Sequence, residues 1–250
     1  MKAMKTPLLV AALIFTFGHI AAAQTADDVV EKYLAAIGGR AALAKVTSRS
    51  TTGTITLALP NGPVSGTIEI LNQQPNNVRS VTKLDLTSLG AGQLIRDQRF
   101  DGTAGYVLDS LQGNREITGN QLDNLKNAAF PTPLLTYKAR GMDVDLAGKE
   151  KVDGRDAYVL VLKPKTGSAV RQFIDAETYL PARVVVKIDT PEAGGEVEQT
   201  TDYSDYRVVD GIKIPFAIKV SSAVQNFNIA VTKVEHNVRI DGASFAKPDK

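Results

Sequence analysis

The spacing of apolar residues changes along the chain from a helical period to an alternating one. From Thr25 onward, apolar residues recur three and four positions apart, which predicts an amphipathic helix. Thr25 with Asp28 three residues later is typical of a capping box at the start of that helix. Gly38-Gly39 ends it, and the sequence RAALAKV predicts a second, shorter helix. From about Ser50 the apolar residues occupy every second position, which predicts β-strands.

Short turns separate the alternating segments. Asn61-Gly62, Asp101-Gly102, Asp153-Gly154 and Asp210-Gly211 are examples, and connections this short join only antiparallel neighbours. The sequence therefore predicts a mainly β (α+β) fold, in which a meandering antiparallel sheet of about eleven strands carries a few helices across its concave side. Residues 24–250 are predicted to form one such domain.

So wide a sheet must curl or close, because strand twist accumulates across it. Pro215 lies inside a predicted strand, Ile212 to Ser221, in which Ile212, Ile214 and Phe216 alternate with polar or small residues. Proline cannot donate to a ladder, which favours an edge or a bulge at that point. We therefore expect an unclosed, strongly curved barrel.

One helical segment interrupts the strands in the middle of the chain. Thr118 and Gln121 have capping-box spacing, and Leu122 and Leu125 share one helical face before Pro131 ends the pattern. This is the one helical pattern in an otherwise β-type region.

The first 23 residues predict an export signal. Lys2 and Lys5 precede an apolar run from Pro7 to Ile20, and small residues follow at positions 21–23. We expect cleavage after Ala23 and a mature protein in the periplasm.

Composition excludes several classes of function. The chain has no cysteine, which excludes disulfides, thiolate metal sites and cysteine nucleophiles. Loss of Lys2 and Lys5 with the leader leaves 27 basic and 27 acidic residues, and a neutral chain without a basic cluster is a poor partner for nucleic acid. His236 is the single histidine after the leader, and a lone histidine at a strand end is typically exposed or hydrogen-bonded rather than catalytic. We predict no enzymatic activity, no metal site and no cofactor.

The apolar faces of the strands remain as the candidate functional surface. They either pack as ordinary core or line a hollow, and strand phase alone leaves both open. The candidate cavity residues are Ile55, Leu57, Ile68, Ile70, Leu84, Leu86, Leu160, Leu162, Val184, Val186, Phe216 and Ile218.

Three segments of the chain resemble a known family. They are ADDVVEKYLAAIGGRAALAKV after the leader, VDGRDAYVLVLKPKTGSAVRQFIDAETYLPARV, and YSDYRVVDGIKIPFAIKV. Together they resemble the outer-membrane lipoprotein-sorting carriers of the LolA/LolB type. The resemblance implies an unclosed antiparallel barrel with helices across its mouth, around a hydrophobic cavity.

The resemblance also implies a function. We expect a periplasmic binding protein that holds the acyl chains of lipoproteins or lipids, in transfer toward the outer membrane, with membrane-bound donor and acceptor proteins as further partners. It would be neither an integral membrane protein nor a nucleic-acid binder. The segment from Gln121 to Leu135 is then the candidate lid over the cavity. The alternative is a periplasmic sensor or protein-interaction scaffold on the same fold, without lipid transfer.

Overall fold

A computed structural model describes residues 24–60, 62–190 and 194–247. The predicted signal peptide, residues 1–23, and Asn61 of the first predicted turn lie outside these ranges. The helices are α1 (Ala26–Ala36), α2 (Arg40–Ala44) and α3 (Gly119–Asn127). The strands are β1 (Ser48–Leu57), β2 (Val64–Gln73), β3 (Asn77–Asp85), β4 (Gln93–Phe100), β5 (Gly105–Asp109), β6 (Arg115–Ile117), β7 (Asp143–Val152), β8 (Arg155–Lys163), β9 (Val170–Asp175), β10 (Pro181–Thr190), β11 (Gly195–Val209), β12 (Ile212–Ser221) and β13 (Asn226–His236).

All thirteen strands form one antiparallel sheet. Its order is β6-β5-β4-β3-β2-β1-β13-β12-β11-β10-β9-β8-β7, so β6 and β7 are the two outer strands and the sheet does not close. This confirms the predicted unclosed, mainly β architecture. The strand number exceeds the predicted one partly because β6 has only three residues, too few to show an alternating pattern.

Helix α1 packs its apolar side into the main core. The predicted capping box is present: Thr25 N donates to Asp28 Oδ2 at 3.0 Å, and Asp28 N donates to Thr25 Oγ1 at 3.1 Å. Val29, Val30 and Leu34 are fully buried, and they belong to the same cluster as the inward-facing residues of β8 and β12. The helix thus fills part of the concave side of the sheet.

Strands β12 and β13 separate along part of their length. They pair through Ala217–Ser221 and Asn226–Ala230, whereas the rest of β13 continues alongside β1. In the separated section, Lys213 N donates to Ile37 O at 2.9 Å, beyond the end of α1. Pro215 lies in this section, opposite Tyr206 of β11. Pro215, which has no N–H to donate, therefore lies where β12 does not pair with β13. This agrees with the expectation that proline avoids a fully paired position.

Among the residues that the structure describes, no helix is long and apolar enough to cross a membrane.

Candidate functional site: two cavities on the concave face

A cavity of about 470 Å³ lies between the second half of the sheet and the segment that contains α3. We refer to it as the Arg49 cavity. Strand β10 contributes Val184, Val186 and Ile188 to its wall, and Val170 and Leu162 come from β9 and β8. Alternating positions of one strand share a face, so β10 turns a continuous apolar stripe into the hollow. Val185, which lies between Val184 and Val186 on β10, points to the other face of the sheet and packs there in a separate cluster.

The cover of this cavity is α3 with the loop that follows it. Asn124, Asn127, Ala129, Pro131 and Pro133 all line the hollow. Helix α3 buries none of its side chains fully. Its position depends instead on amide contacts to the β9 and β10 side of the sheet.

Those amide contacts converge on one serine. Asn120 Nδ2 donates to Ser168 Oγ at 2.9 Å, and Ser168 N donates to Asn124 Oδ1 at 2.8 Å. Ser168 Oγ in turn donates to Lys187 O at 2.7 Å. Gln121 donates to the carbonyl of Asp189.

The predicted capping box at Thr118 is wrong. Thr118 is the residue before the first turn of α3, but its side chain makes no capping hydrogen bond. Gln121, the other half of the predicted pair, contacts Asp189 and accepts from Arg115 Nη1 at 3.1 Å. The Gln121 side chain, which the capping box requires, is therefore occupied by tertiary contacts instead.

Polar side chains form another part of the lining. Tyr33, Arg49, Gln172, Tyr203 and Tyr206 line the cavity. Tyr33 Oη donates to Thr132 Oγ1 at 2.9 Å, and Tyr206 Oη donates to Pro181 O at 2.6 Å. Burial raises the pKa of Tyr203 to about 12 and raises the pKa of Tyr33 and Tyr206 as well. All three phenols are therefore neutral at pH 7.

Arg49 is the half-buried charged residue of the lining, and the other charged lining residue, Lys213, is exposed. The guanidinium of Arg49 lies 5.1 Å from the centroid of the Phe130 ring. Its Nε atom is buried without a hydrogen-bond partner among the described residues. Loss of hydration lowers the pKa of Arg49 to about 10, which still leaves it cationic at pH 7.

His236 is opposite Arg49 in the β1–β13 ladder. Its side chain is only 2% exposed, and Nδ1 lies 3.1 Å from Asp210 Oδ2. A carboxylate can only accept, so the proton is on Nδ1. Burial lowers the pKa of His236 despite this hydrogen bond. The strand-end histidine is therefore a buried, hydrogen-bonded residue, which is one of the two roles expected of it.

A second cavity, of about 490 Å³, lies on the concave face of β1–β5. We refer to it as the Leu84 cavity. Its lining is less uniform than that of the Arg49 cavity, because Ser80, Thr82, Gln98 and the Arg96–Asp109 pair share it with apolar residues. Arg96 Nη1 and Asp109 Oδ2 are 3.4 Å apart, so the charges in this cavity are paired.

The structure distributes the candidate cavity residues over three settings. Leu162, Val184 and Val186 line the Arg49 cavity. Ile55, Leu57, Ile68, Ile70 and Leu84 line the Leu84 cavity. Leu86, Leu160, Phe216 and Ile218 pack in or against the main core and are in the lining of neither cavity.

Strand β12 runs from one cavity to the other. Ile212 and Ile214 line the Arg49 cavity, Phe216 is in the core, and Val220 lines the Leu84 cavity. Its single apolar face is therefore core in the middle and cavity wall at both ends.

Arg49 is the site residue that the sequence reasoning missed. Counting backwards from Ile55 and Leu57 in steps of two reaches Arg49, so strand phase alone places it on the inward face. The signal was available in the sequence, but the predicted strand began one residue too late.

Comparison with solved structures shows the fold. A LolA superfamily protein from Nitrosomonas europaea aligns over 90% of this chain and 99% of its own, with 15% identity and a TM-score of 0.56. The chain has a LolA-like fold.

Two further structures agree with this LolA-like fold. A DUF1329 family protein from Desulfovibrio piger aligns over 88% of this chain and 97% of its own, with 14% identity and a TM-score of 0.55. An outer membrane lipoprotein-sorting protein domain from Vibrio parahaemolyticus aligns over 87% and 94%, with 11% identity and a TM-score of 0.54. No protein-family model matches the sequence, and no curated protein matches it either.

Proposed function

We propose that this protein is a non-enzymatic periplasmic carrier that holds acyl chains of lipoproteins or lipids, in transfer toward the outer membrane. The observation that carries the proposal is the Arg49 cavity, whose size of about 470 Å³ lies within the range of about 300–1,000 Å³ usual for small-molecule sites. Apolar side chains, including those from β8, β9, β10 and β12, supply most of its wall. The LolA-like fold, shared with a lipoprotein-sorting domain, supports the same ligand class.

The energetics of acyl burial require a release mechanism. Burial contributes about 0.8 kcal/mol per methylene, so a chain of about 16 carbons gains on the order of 10 kcal/mol before ordering costs. A carrier that buried a chain this well behind a rigid wall would release it too slowly to be useful. A cover that opens solves this difficulty.

The α3 segment has the properties of such a cover. Helix α3 and the loop after it line the Arg49 cavity, and α3 itself has no buried side chain. Phe130 and Leu134, at the other end of the segment, are buried in the main core and form its fixed end. The amide contacts of α3 to Ser168 and to the β10 backbone are hydrogen bonds that water can replace at low cost. We propose that the segment from Gln121 to Leu135 is the lid.

The decisive experiment compares two variants of neighbouring residues. Val186→Phe places a ring into the Arg49 cavity, whereas Lys187→Phe places the same ring on the opposite, exposed face of β10. Each protein is purified from its own periplasm and analysed by native mass spectrometry. We expect co-purified lipid or lipoprotein with the wild type and with Lys187→Phe, and a loss of it with Val186→Phe.

Two outcomes would count against the carrier. Wild-type protein that carries no lipid but one stoichiometric protein partner would support a sensor or scaffold instead. Equal lipid content in both variants would place the ligand outside the Arg49 cavity.

A further inference from the structure

The Arg49 cavity contains a positive charge that its own walls do not neutralise. No aspartate or glutamate occurs among the described residues that line it. Tyr33 and Tyr203 lie near Arg49, and both are uncharged at neutral pH. His236, opposite Arg49 in the β1–β13 ladder, is bonded to Asp210, whose carboxylate is exposed. By contrast, Arg79 and Arg99 each have a carboxylate oxygen of Asp97 within 3 Å.

An uncompensated cation at this depth is costly to the fold. Arg49 is half-buried, and its Nε has no partner among the described residues, so its charge loses part of its hydration without gaining a counter-charge. The cation–π contact between Arg49 and Phe130, at 5.1 Å, offsets only part of the lost hydration energy. The missing counter-charge points to a ligand.

The position of Arg49 in the cavity limits what that ligand can be. The lining combines the apolar stripe of β10 with a polar group formed by Arg49, Gln172 and the tyrosines. A molecule that satisfies both parts of the lining has a hydrocarbon chain and an anionic group. A carboxylate matches the planar fork of a guanidinium in two parallel hydrogen bonds. Lys213 also lines the cavity but is exposed, so Arg49 is the cation that a buried carboxylate would meet.

We propose that the Arg49 cavity binds a long-chain fatty acid, with its carboxylate on the guanidinium of Arg49 and its chain along β10. This deepens the proposed function and rests on it, since it names the chemistry of the acyl ligand. Tyr203, held protonated, is available as a neutral donor beside the carboxylate, whereas Tyr33 already donates to Thr132.

The test uses two ligands that differ only in charge. Detergent-stripped mature protein is titrated calorimetrically with dodecanoate and with dodecanol. We expect wild type to prefer dodecanoate. Arg49→Met should weaken dodecanoate binding by about 10- to 100-fold and leave dodecanol binding unchanged, and Arg49→Lys should lie between wild type and Arg49→Met.

The matched control is Arg96→Met. Arg96 lines the Leu84 cavity and pairs there with Asp109, so its loss should leave the preference for dodecanoate in place. If Arg96→Met rather than Arg49→Met removes the preference, the inference is wrong and the acid binds in the other cavity.

A measurement without ligand separates this role from a structural one. An unpaired cation contributes nothing to stability, so Arg49→Met should unfold at an equal or higher urea concentration than wild type. A lower midpoint would identify Arg49 as a structural residue and overturn the inference.

The results also separate this inference from the carrier function. Equal binding of dodecanoate and dodecanol would refute the carboxylate site and leave the acyl carrier standing. Absence of binding for both ligands would remove both proposals.

Discussion

At the scale of single residues, the fold treats the charges of Asp97 and Arg49 in opposite ways. Asp97 of β4 is 7% exposed and accepts from Arg79 Nε at 2.9 Å and from Arg99 Nη2 at 2.8 Å. Arg49 has no such partner among the described residues. The first arrangement stabilises the protein by itself, whereas the second is completed by a ligand in our proposal.

The Asp97 cluster makes stability depend on pH. Burial alone would raise the pKa of Asp97, but the hydrogen bonds from Arg79 and Arg99 outweigh it and hold the pKa below its usual value. A carboxyl with a lowered folded-state pKa stabilises the protein above its unfolded pKa of about 4, and this contribution is lost as pH falls through the folded value. Asp97→Asn should therefore reduce the free energy of unfolding by about 2 kcal/mol at pH 7.

Urea unfolding at pH 7 and at pH 3 measures both parts of this prediction. The gap between wild type and Asp97→Asn should narrow at pH 3. Asp205→Asn is the control, because the Asp205–Arg207 pair is exposed and such pairs contribute little. If the difference in unfolding free energy between wild type and Asp97→Asn is the same at both pH values, the charge of Asp97 does not contribute to stability.

At the scale of elements, two strand glycines allow neighbouring strands to approach closely. A Cβ added at Gly66 of β2 would lie 1.9 Å from Lys83 O, and one at Gly53 of β1 would lie 2.6 Å from Ala230 O. These positions are on strands that pair directly with each other. A glycine within a strand marks close backbone approach or a tight bend, which is what the curl of this sheet requires.

Gly66→Ala should be strongly destabilising. The new methyl group meets a backbone carbonyl that cannot turn away, so we expect a loss of about 3 kcal/mol in the free energy of unfolding. Gly195→Ala is the matched control, since a Cβ there has no atom within 4 Å. Urea denaturation of both variants decides the matter, and equal midpoints would contradict the steric account.

Helix α3 is the element whose attachment we expect to be weakest. Ser168→Ala removes the hydroxyl that accepts from Asn120 and donates to Lys187 O. Amide hydrogen exchange should become several-fold faster in α3 and stay unchanged in α1. Ser110→Ala is the control, because Ser110 Oγ bonds to Gln93 O of β4 and makes no hydrogen bond to α3 among the described residues.

The same exchange measurement tests the lid. If α3 is as protected as the central strands and does not respond to added lipid, the lid proposal fails.

At the scale of the whole molecule, one sheet joins the two halves of the chain. Strand β13 pairs with β1 along its length and with β12 over a shorter stretch, and α1 packs into the core shared by both halves. We therefore propose that residues 24–250 unfold as one domain.

Two tryptophan probes test this cooperativity. Tyr106→Trp reports on β5 in the first half, and Tyr179→Trp reports on the β9–β10 turn in the second. Their fluorescence should give the same urea midpoint. Midpoints that differ by more than the fitting error would indicate two separately folding units.

The sequence by itself determined most of the architecture. Alternation, the Asp-Gly turns and the Thr25 capping box are local signals, because they depend on backbone geometry and on neighbours within a few residues. They were enough for the antiparallel meander, for α1 and for the existence of α3. They also placed Pro215 correctly, since a missing N–H limits a ladder in any context.

The tertiary structure alone decided which apolar faces enclose space. Phe216 and Val186 carry the same pattern in sequence, yet the first is core and the second is cavity wall. The difference depends on where α1 and α3 lie, and that follows from long-range packing rather than strand phase. Long-range packing also decided the role of Gln121, whose side chain makes tertiary contacts instead of capping α3. Likewise, the unpaired charge of Arg49 could be recognised only after its spatial neighbours were known.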